Sequence, residues 1–242
     1  MGRQNWKPGN MLYPVPAVMV SCKRPGEKAN IITVAWAGTI CSDPAMVSIS
    51  VRPDRYSHNI IEETGEFVIN LVTERLAYAT DFCGVRSGRD IDKFAQMHLT
   101  PLPSQHISAP GIAESPVNLE CKVTQVIPLG SHDMFLAEVL GVTVDEKYMD
   151  ENGKFHLNDA GLVAYSHGEY FELGEKLGKF GYSVAKKQVA KTESVTKSAK
   201  PSGAGKKAAS AENRTASKTE AGNRRKSASK TGSADKQKSR RK

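Results

Sequence analysis

The stretch WAGTICSDPAMVSISVRPDRYSHN, Trp36 to Asn59, sets the terms for reading the whole chain. It opens with small residues around a tryptophan, where backbone N–H and C=O groups at Ala35, Ala37 and Gly38 would lie open to a flat ring edge. Thr39 and Ser42 add hydroxyl donors, and Ser42-Asp43-Pro44 turns the chain. Met46, Ser48 and Ser50 then alternate with Val47, Ile49 and Val51. That spacing predicts a half-buried strand with one apolar face and one face of small hydroxyls. Arg52 and Arg55 follow, and Ser57 is a candidate N-cap for a helix stopped at Gly65. A helix start offers unpaired N–H groups and partial positive charge. Arginine adds forked donors. Arg52, Arg55, Ser57, His58 and Asn59 thus make a corner suited to a phosphate monoester. Spacing alone equally allows a capped helix beside two solvated arginines.

Working outward, strand signals dominate. VPAVMVSC, from Val15, is short and apolar and ends in a basic turn marked by Pro25-Gly26. IITVAWAG, from Ile31, is β-branched and aromatic, as a buried strand should be. After the first helix, EFVINLV returns to strand, and Thr73 is placed to cap a second helix ended by Gly84. The loop VRSGRDIDKF leads to a short helix and a proline-rich connector. VNLECKVTQVIPL and HDMFLAEVLGVTVDE read as long antiparallel strands, followed by an Asn152-Gly153 turn. Far more strands than helices, mostly antiparallel, predict a mainly β fold: a small closed or split β-barrel with peripheral helices.

Charge divides the chain in two. Of 34 Lys and Arg and 26 Asp and Glu, 18 and 4 lie in residues 185–242, giving that segment a net +14 and residues 1–184 a net −6. The segment from Ala185 has no aromatic residue and only Val189 and Val195 as sizeable aliphatics. Such a composition cannot bury enough surface to offset chain entropy, so it is expected to be a disordered basic tail behind one folded domain, 1–184. The acidic body argues against a broad nucleic-acid-binding face on the fold itself. The tail, a Lys/Ala/Ser segment like those of linker histones, would contact polyanions or simply aid solubility.

Cys22, Cys41, Cys83 and Cys121 lie far apart with no C-x-x-C pair, so reduced thiols in a cytoplasmic setting are expected. The N-terminus lacks a continuous apolar run and is broken by Pro14 and Pro16, and no stretch approaches a membrane span. No G-x-G-x-x-G follows a strand, no G-x-S-x-G or H-E-x-x-H occurs, and the six histidines are scattered. Neither a metal site nor a catalytic acid–base set is expected.

The order N-x-x-T-x-A-W-x-G-T-x-C-S-D-P from Asn30 resembles the flavin reductase-like family, whose fold is an FMN-binding split barrel of Greek-key type. So do SISVRPDRYSHNIIEETGEFVINL through Leu71, SGRDIDKF at Ser87–Phe94 and LVAYSHGEYFELG at Leu162–Gly174. The flavoredoxin-like branch is the nearest, and the resemblance spans Trp6 to Gly181. It implies that Asn30, Thr33, Trp36, Ala37, Gly38, Thr39, Cys41 and Ser42 border the flavin ring and ribityl chain. Arg52, Arg55, Ser57, His58 and Asn59 would surround the phosphate. Asn70 would face the flavin or act as a strand-end hydrogen bonder. Lys93 would approach flavin or phosphate, and Tyr165 and His167 would close the ring face or stand as ordinary strand residues. Cys41, in the flavin-lining turn, would fill space or take part in redox chemistry.

The resemblance further implies a homodimer and an NAD(P)H-dependent FMN flavoprotein, hydride passing by way of flavin N5 to an acceptor. The cofactor carries such chemistry, so the absence of a catalytic constellation is consistent. A flavoredoxin-type electron carrier reduced by a protein partner is the alternative, and a nucleic-acid-associated flavoprotein acting through the tail is a third.

Overall fold

The computed structural model describes residues 1–185; the basic segment from 186 onward, expected to be disordered, lies outside the described residues. The strands are β1 (Val15–Pro16), β2 (Val18–Cys22), β3 (Asn30–Val34), β4 (Ala37–Ser42), β5 (Ala45–Val51), β6 (Glu66–Leu71), β7 (Pro101–Leu102), β8 (Gly111–Ile112), β9 (Val117–Pro128), β10 (Asp133–Val144), β11 (Val163–Ser166) and β12 (Glu169–Glu172). Three α-helices accompany them: α1 (Tyr56–Thr64), α2 (Ala77–Val85) and α3 (Lys93–Gln96).

Seven strands form one antiparallel sheet in the order β3-β2-β6-β9-β10-β5-β4. Only Ala35 and Trp36 separate β3 from β4, yet these strands occupy opposite ends of that order. Six interstrand steps of a flat sheet would place its ends about 29 Å apart. Two residues bridge about 10 Å. The sheet therefore curls into a split barrel, and the Trp36 carbonyl, accepting from the Ser50 N–H at 2.9 Å, pins the seam. β1, β11 and β12 form a separate three-stranded sheet, and β7 pairs with β8.

Burial explains why the strand patterns differ. In β5, Val47, Ile49 and Val51 are buried while the serines between are half-exposed, so alternation is clean. In β2 and β3 both faces are covered. Val18, Val20, Ile32 and Val34 pack inside the barrel with Ile49, Phe67 and Phe135. Met19 and Ile31 point outward into a second cluster with Ala79 and Cys83 of α2 and Phe94 of α3. Continuous apolar runs are the signature of strands buried on both sides.

Helix boundaries correct the sequence reading in two places. α1 begins one residue before Ser57: Arg55 holds the N-cap position without a side-chain cap bond, and Ser57 is buried in the first turn. Thr73 precedes a 3₁₀ turn, Glu74–Leu76, again with no cap bond, and Gly84 does not end α2, which runs to Val85. A Cβ at Gly84 would stand 3.2 Å from Thr33 Cβ, so this glycine allows close helix–strand approach rather than a stop. Gly65 does close α1, with φ of 65°. Gly153 sits in a turn with positive φ, flanked by an isolated bridge between Met149 and Phe155. No helix among the described residues is long and apolar enough to cross a membrane.

Candidate functional site

Two adjoining cavities open where the barrel seam meets α1 and α2. The larger, about 410 Å³, has β3 and Ala35–Trp36 as its floor, with Gly84 and Val85 of α2 beside it. The smaller, about 150 Å³, lies between the start of α1 and the loop after α2. Ile32, Arg55 and Gly84 line both, so a single elongated molecule can run from one to the other.

The larger cavity is aromatic. Tyr165 and Tyr170 pack edge to face at 5.4 Å, and Tyr13 meets Tyr165 at 6.2 Å. Elsewhere in the lining, Trp36 lies 4.4 Å from the His132 ring, centroid to centroid. Burial and the nearby Arg52 hold the His132 imidazole below its ordinary pKa. The Tyr170 hydroxyl donates to Asp81 at 3.4 Å, and burial together with that carboxylate pushes the phenol up to about 12. Aromatic walls with polar side chains such as Asp81, Arg52 and His132 among them suit a planar ring that also carries hydrogen-bonding edges.

The smaller cavity is cationic. Arg55, Arg86, Arg89 and Lys93 all line it. α1 has no acidic residue in its first turn, so its free N–H groups keep their positive end. Lys93 is buried and donates to the Ile31 carbonyl at 2.6 Å and the Cys83 carbonyl at 2.7 Å. Burial lowers its pKa to about 8, which leaves the ammonium mostly charged near neutrality. Asn30 donates to Ser57 Oγ at 2.7 Å, tying the start of β3 to α1. The donor set fits a phosphate group, and its junction with an aromatic cavity fits a flavin mononucleotide.

Of the residues expected at the site, Thr33, Trp36, Arg52 and Tyr165 line the larger cavity. Asn30, Ser57 and Lys93 line the smaller, and Arg55 lines both. The others stand elsewhere. Ala37, Gly38, Thr39, Cys41 and Ser42 belong to edge strand β4, which pairs with β5 on one side only, and none of them lines either cavity; the connecting bend is only two residues long. Cys41 Sγ contacts the Asp43 carbonyl at 3.4 Å, away from both cavities. His58 is buried on the inner face of α1, its Nε2 2.7 Å from Asp133 Oδ2, and Asn59 points to solvent. Asn70 is a strand-locking residue. It donates to the Met19 carbonyl and Ser21 Oγ and accepts from the Ile112 N–H and Asn118 Nδ2. His167 occupies the β11–β12 turn with φ of 50°, its ring 6.1 Å from Tyr13, while the neighbouring Gly168 lines the cavity.

Sequence reasoning missed Arg86, Arg89, Tyr13, Asp81, His132 and Tyr170. The arginines were visible as a pair flanking Ser87-Gly88. The rest come from segments far apart in sequence and leave no local signal. Among the described residues no group of three metal-ligating side chains occurs. Burial pushes Cys22 and Cys121 up to about 12 and Cys83 to about 11, which leaves these thiols protonated.

Residues 10–174 match the flavin reductase like domain, and the chain belongs to that family of flavin-binding redox proteins. Among solved structures it resembles flavoredoxin of Desulfovibrio vulgaris (Miyazaki F), 31% identical, covering 76% of this chain and all of that one with a TM-score of 0.70. An FMN-binding protein from Thermus thermophilus is 24% identical over 74% of this chain and 98% of that one, TM-score 0.61, and shares the fold. Among curated relatives, an uncharacterized protein of Archaeoglobus fulgidus is 32% identical over 66% of this chain and 88% of its own length. An NADPH-flavin oxidoreductase of Streptomyces viridifaciens is 28% identical over 51% of this chain and 63% of its own length.

Proposed function

We propose that the chain binds FMN, phosphate in the smaller cavity and ring in the larger, and acts as an NAD(P)H-dependent flavin oxidoreductase. The observation that carries this reading is the junction of a cationic cavity with an aromatic one through Ile32, Arg55 and Gly84. The α1 N–H groups, Arg55 and Lys93 would hold the phosphate. Ser57 would keep α1 in register with β3 through Asn30. Trp36 and the tyrosine wall would fix the ring and exclude water from its faces. The cofactor, once bound, supplies the hydride chemistry. The protein needs no acid or base of its own for that, in keeping with protonated thiols and scattered histidines. A relative described as an NADPH-flavin oxidoreductase supports the choice of donor.

An absorbance spectrum of the purified protein, with release and identification of the chromophore, tests the cofactor. Anaerobic mixing with NADH or NADPH tests the donor: bleaching of the flavin band is expected. Loss of colour with neither donor would favour the second reading, an electron carrier reduced by a protein partner, which the likeness to flavoredoxin supports. We also propose a homodimer, since Ile40 of β4 and Leu140 and Val142 of β10 are exposed apolar strand residues. The basic segment beyond 185 would add salt-dependent contact with polyanions. DNA retention at two salt concentrations, with and without that segment, tests this.

A further inference from the structure

His58 lines neither cavity, yet it is a titratable side chain only 3% exposed. Its ring packs edge to face on Phe135 of the barrel core at 5.2 Å, and its Nε2 lies 2.7 Å from Asp133 Oδ2. On the other side of the ring, Nδ1 meets Asn59 Oδ1 at 3.4 Å and Glu62 Oε2 at 3.9 Å. Burying such a pair adds little stability over apolar side chains of the same volume. What it can supply is a fixed placement, and Asp133 stands where placement matters.

Asp133 opens β10, and Leu129–His132 make the turn from β9. The turn closes on itself: the Leu129 N–H donates to the His132 carbonyl at 2.9 Å, and Ser131 Oγ lies 2.9 Å from His132 Nδ1. Beyond the backbone pairing of Asp133 with Val51, the side-chain hydrogen bond that ties this end of the hairpin to the rest of the fold, among the described residues, is the one to His58. The turn carries His132 against Trp36, ring centroids 4.4 Å apart, in the wall of the larger cavity. α1 thus serves both cavities. Arg55 and Ser57 at its start face the smaller, and His58 beside them reaches the turn that walls the larger.

We propose that His58 is a positioning residue for the larger cavity: its bond to Asp133 holds the β9–β10 turn where His132 stacks on Trp36. The inference rests on the cofactor reading above only for what that wall meets.

The chain has two tryptophans, so in a Trp6→Phe background the indole N–H signal in the NMR spectrum of the full-length protein belongs to Trp36. Histidine changes charge near neutral pH, so this signal should titrate with the stacked His132. Burial and Arg52 hold that imidazole below its ordinary pKa, against the opposing pull of Asp54 and Asp133. His132→Ala should remove the step. His58→Gln, which keeps an N–H donor in the place of Nε2, should retain it. The double variant His58→Phe/Asp133→Leu replaces the buried pair by apolar groups, an exchange often neutral for stability. It should melt close to the parent yet lose the step. Its riboflavin affinity should fall about threefold to tenfold, the scale of one aromatic contact.

A step that survives in the double variant, even at a shifted pH, overturns the proposal, as does unchanged riboflavin affinity there. Persistence of the step in His132→Ala, or its loss in His58→Gln, overturns it too. Should the double variant not fold, Asp133→Asn keeps an acceptor for His58 and Asp133→Ala removes it. A step kept in the first and lost in the second supports the proposal, and the same behaviour in both overturns it. If the parent takes up no riboflavin, the proposed function fails, and the Trp36 signal still decides the role of His58.

Discussion

Gly88 and Asn30 are in such close contact that a methyl group on Gly88 would overlap the Asn30 amide. Asn30 in turn donates to Ser57 Oγ at 2.7 Å. The loop carrying Arg86 and Arg89, the start of β3 and the first turn of α1 are thereby one unit. Gly88→Ala should force either the loop or the asparagine to move, at about 1–3 kcal/mol of overpacking. FMN affinity is expected to fall about tenfold with only a modest drop in melting temperature, since strain of that size is felt at the loop. Fluorescence titration and a thermal melt check it.

Lys93 links pH to both binding and stability. Its folded pKa of about 8 lies below the ordinary lysine value because of burial. The sign follows from proton counts: between about 8 and the unfolded value of about 10.4 the unfolded chain binds the extra proton, so the lysine's contribution to stability improves as pH rises. Phosphate affinity moves the other way, falling as the ammonium is lost. The raised cysteine values contribute above pH 9 with opposite sign, so the measurement is the difference between wild type and Lys93→Met. The stability advantage of Lys93→Met over wild type should shrink across this window, and its deficit in FMN affinity should shrink with it. Melts and FMN titrations at pH 7 and 10 read both.

Asn70 should behave as structure, not as site. Asn70→Ala leaves the Ile112 N–H and Asn118 Nδ2 without their acceptor in a buried location. A loss of about 2–4 kcal/mol in stability is expected from the orphaned groups. FMN affinity of the folded fraction should be unchanged. Denaturant melts and flavin titration below the transition check this; a selective loss of flavin affinity at full stability would return Asn70 to the site.

Acid should release the proline-rich connector first. Burial works to raise the Glu120 carboxyl, but the Gln105 and His106 N–H groups and the His106 ring outweigh it and hold its pKa below the ordinary range. Glu66 likewise resists burial through Ser108 and Lys122 and is lowered. A depressed carboxyl stabilises the fold above its unfolded pKa and loses that contribution as pH falls through the folded value. Protection of the Gln105, His106 and Ser108 amides from hydrogen exchange, relative to the intrinsic rate at each pH, should therefore fall below about pH 4 before that of the barrel strands. Glu120→Gln, with no carboxylate to accept from Gln105 and His106, should lower that protection already at neutral pH and remove the Glu120 part of its acid dependence.

Strand existence and type were legible wherever burial follows a simple period. The β5 alternation and the unbroken apolar runs of β2 and β3 correspond to one covered face and two covered faces. That Arg55 stands at the start of α1 was legible because the two are neighbours in sequence. Ser57 misled, because a serine two residues after an arginine reads as a cap, whereas tertiary contact with Asn30 draws it into the first turn. Gly84 misled in the same way: a glycine needed for close packing on Thr33 looks like one needed for termination. β4 was read as a ring-lining bend because small residues signal openness, whereas it is an edge strand paired with β5 on one side. Tyr13 beside β1, Tyr170 of β12, Asp81 of α2 and His132 between β9 and β10 meet by the packing of the small sheet and α2 on the barrel, which no local pattern encodes.

The two-residue bridge at Ala35 and Trp36 has a mechanical meaning. It cinches the cylinder at the place where Trp36 also stands in the cavity wall, so the girth of the barrel and the width of the cleft are set by one short tether. Lengthening the tether by a single residue would slacken the belt, and the first thing to loosen would be the grip on the ligand.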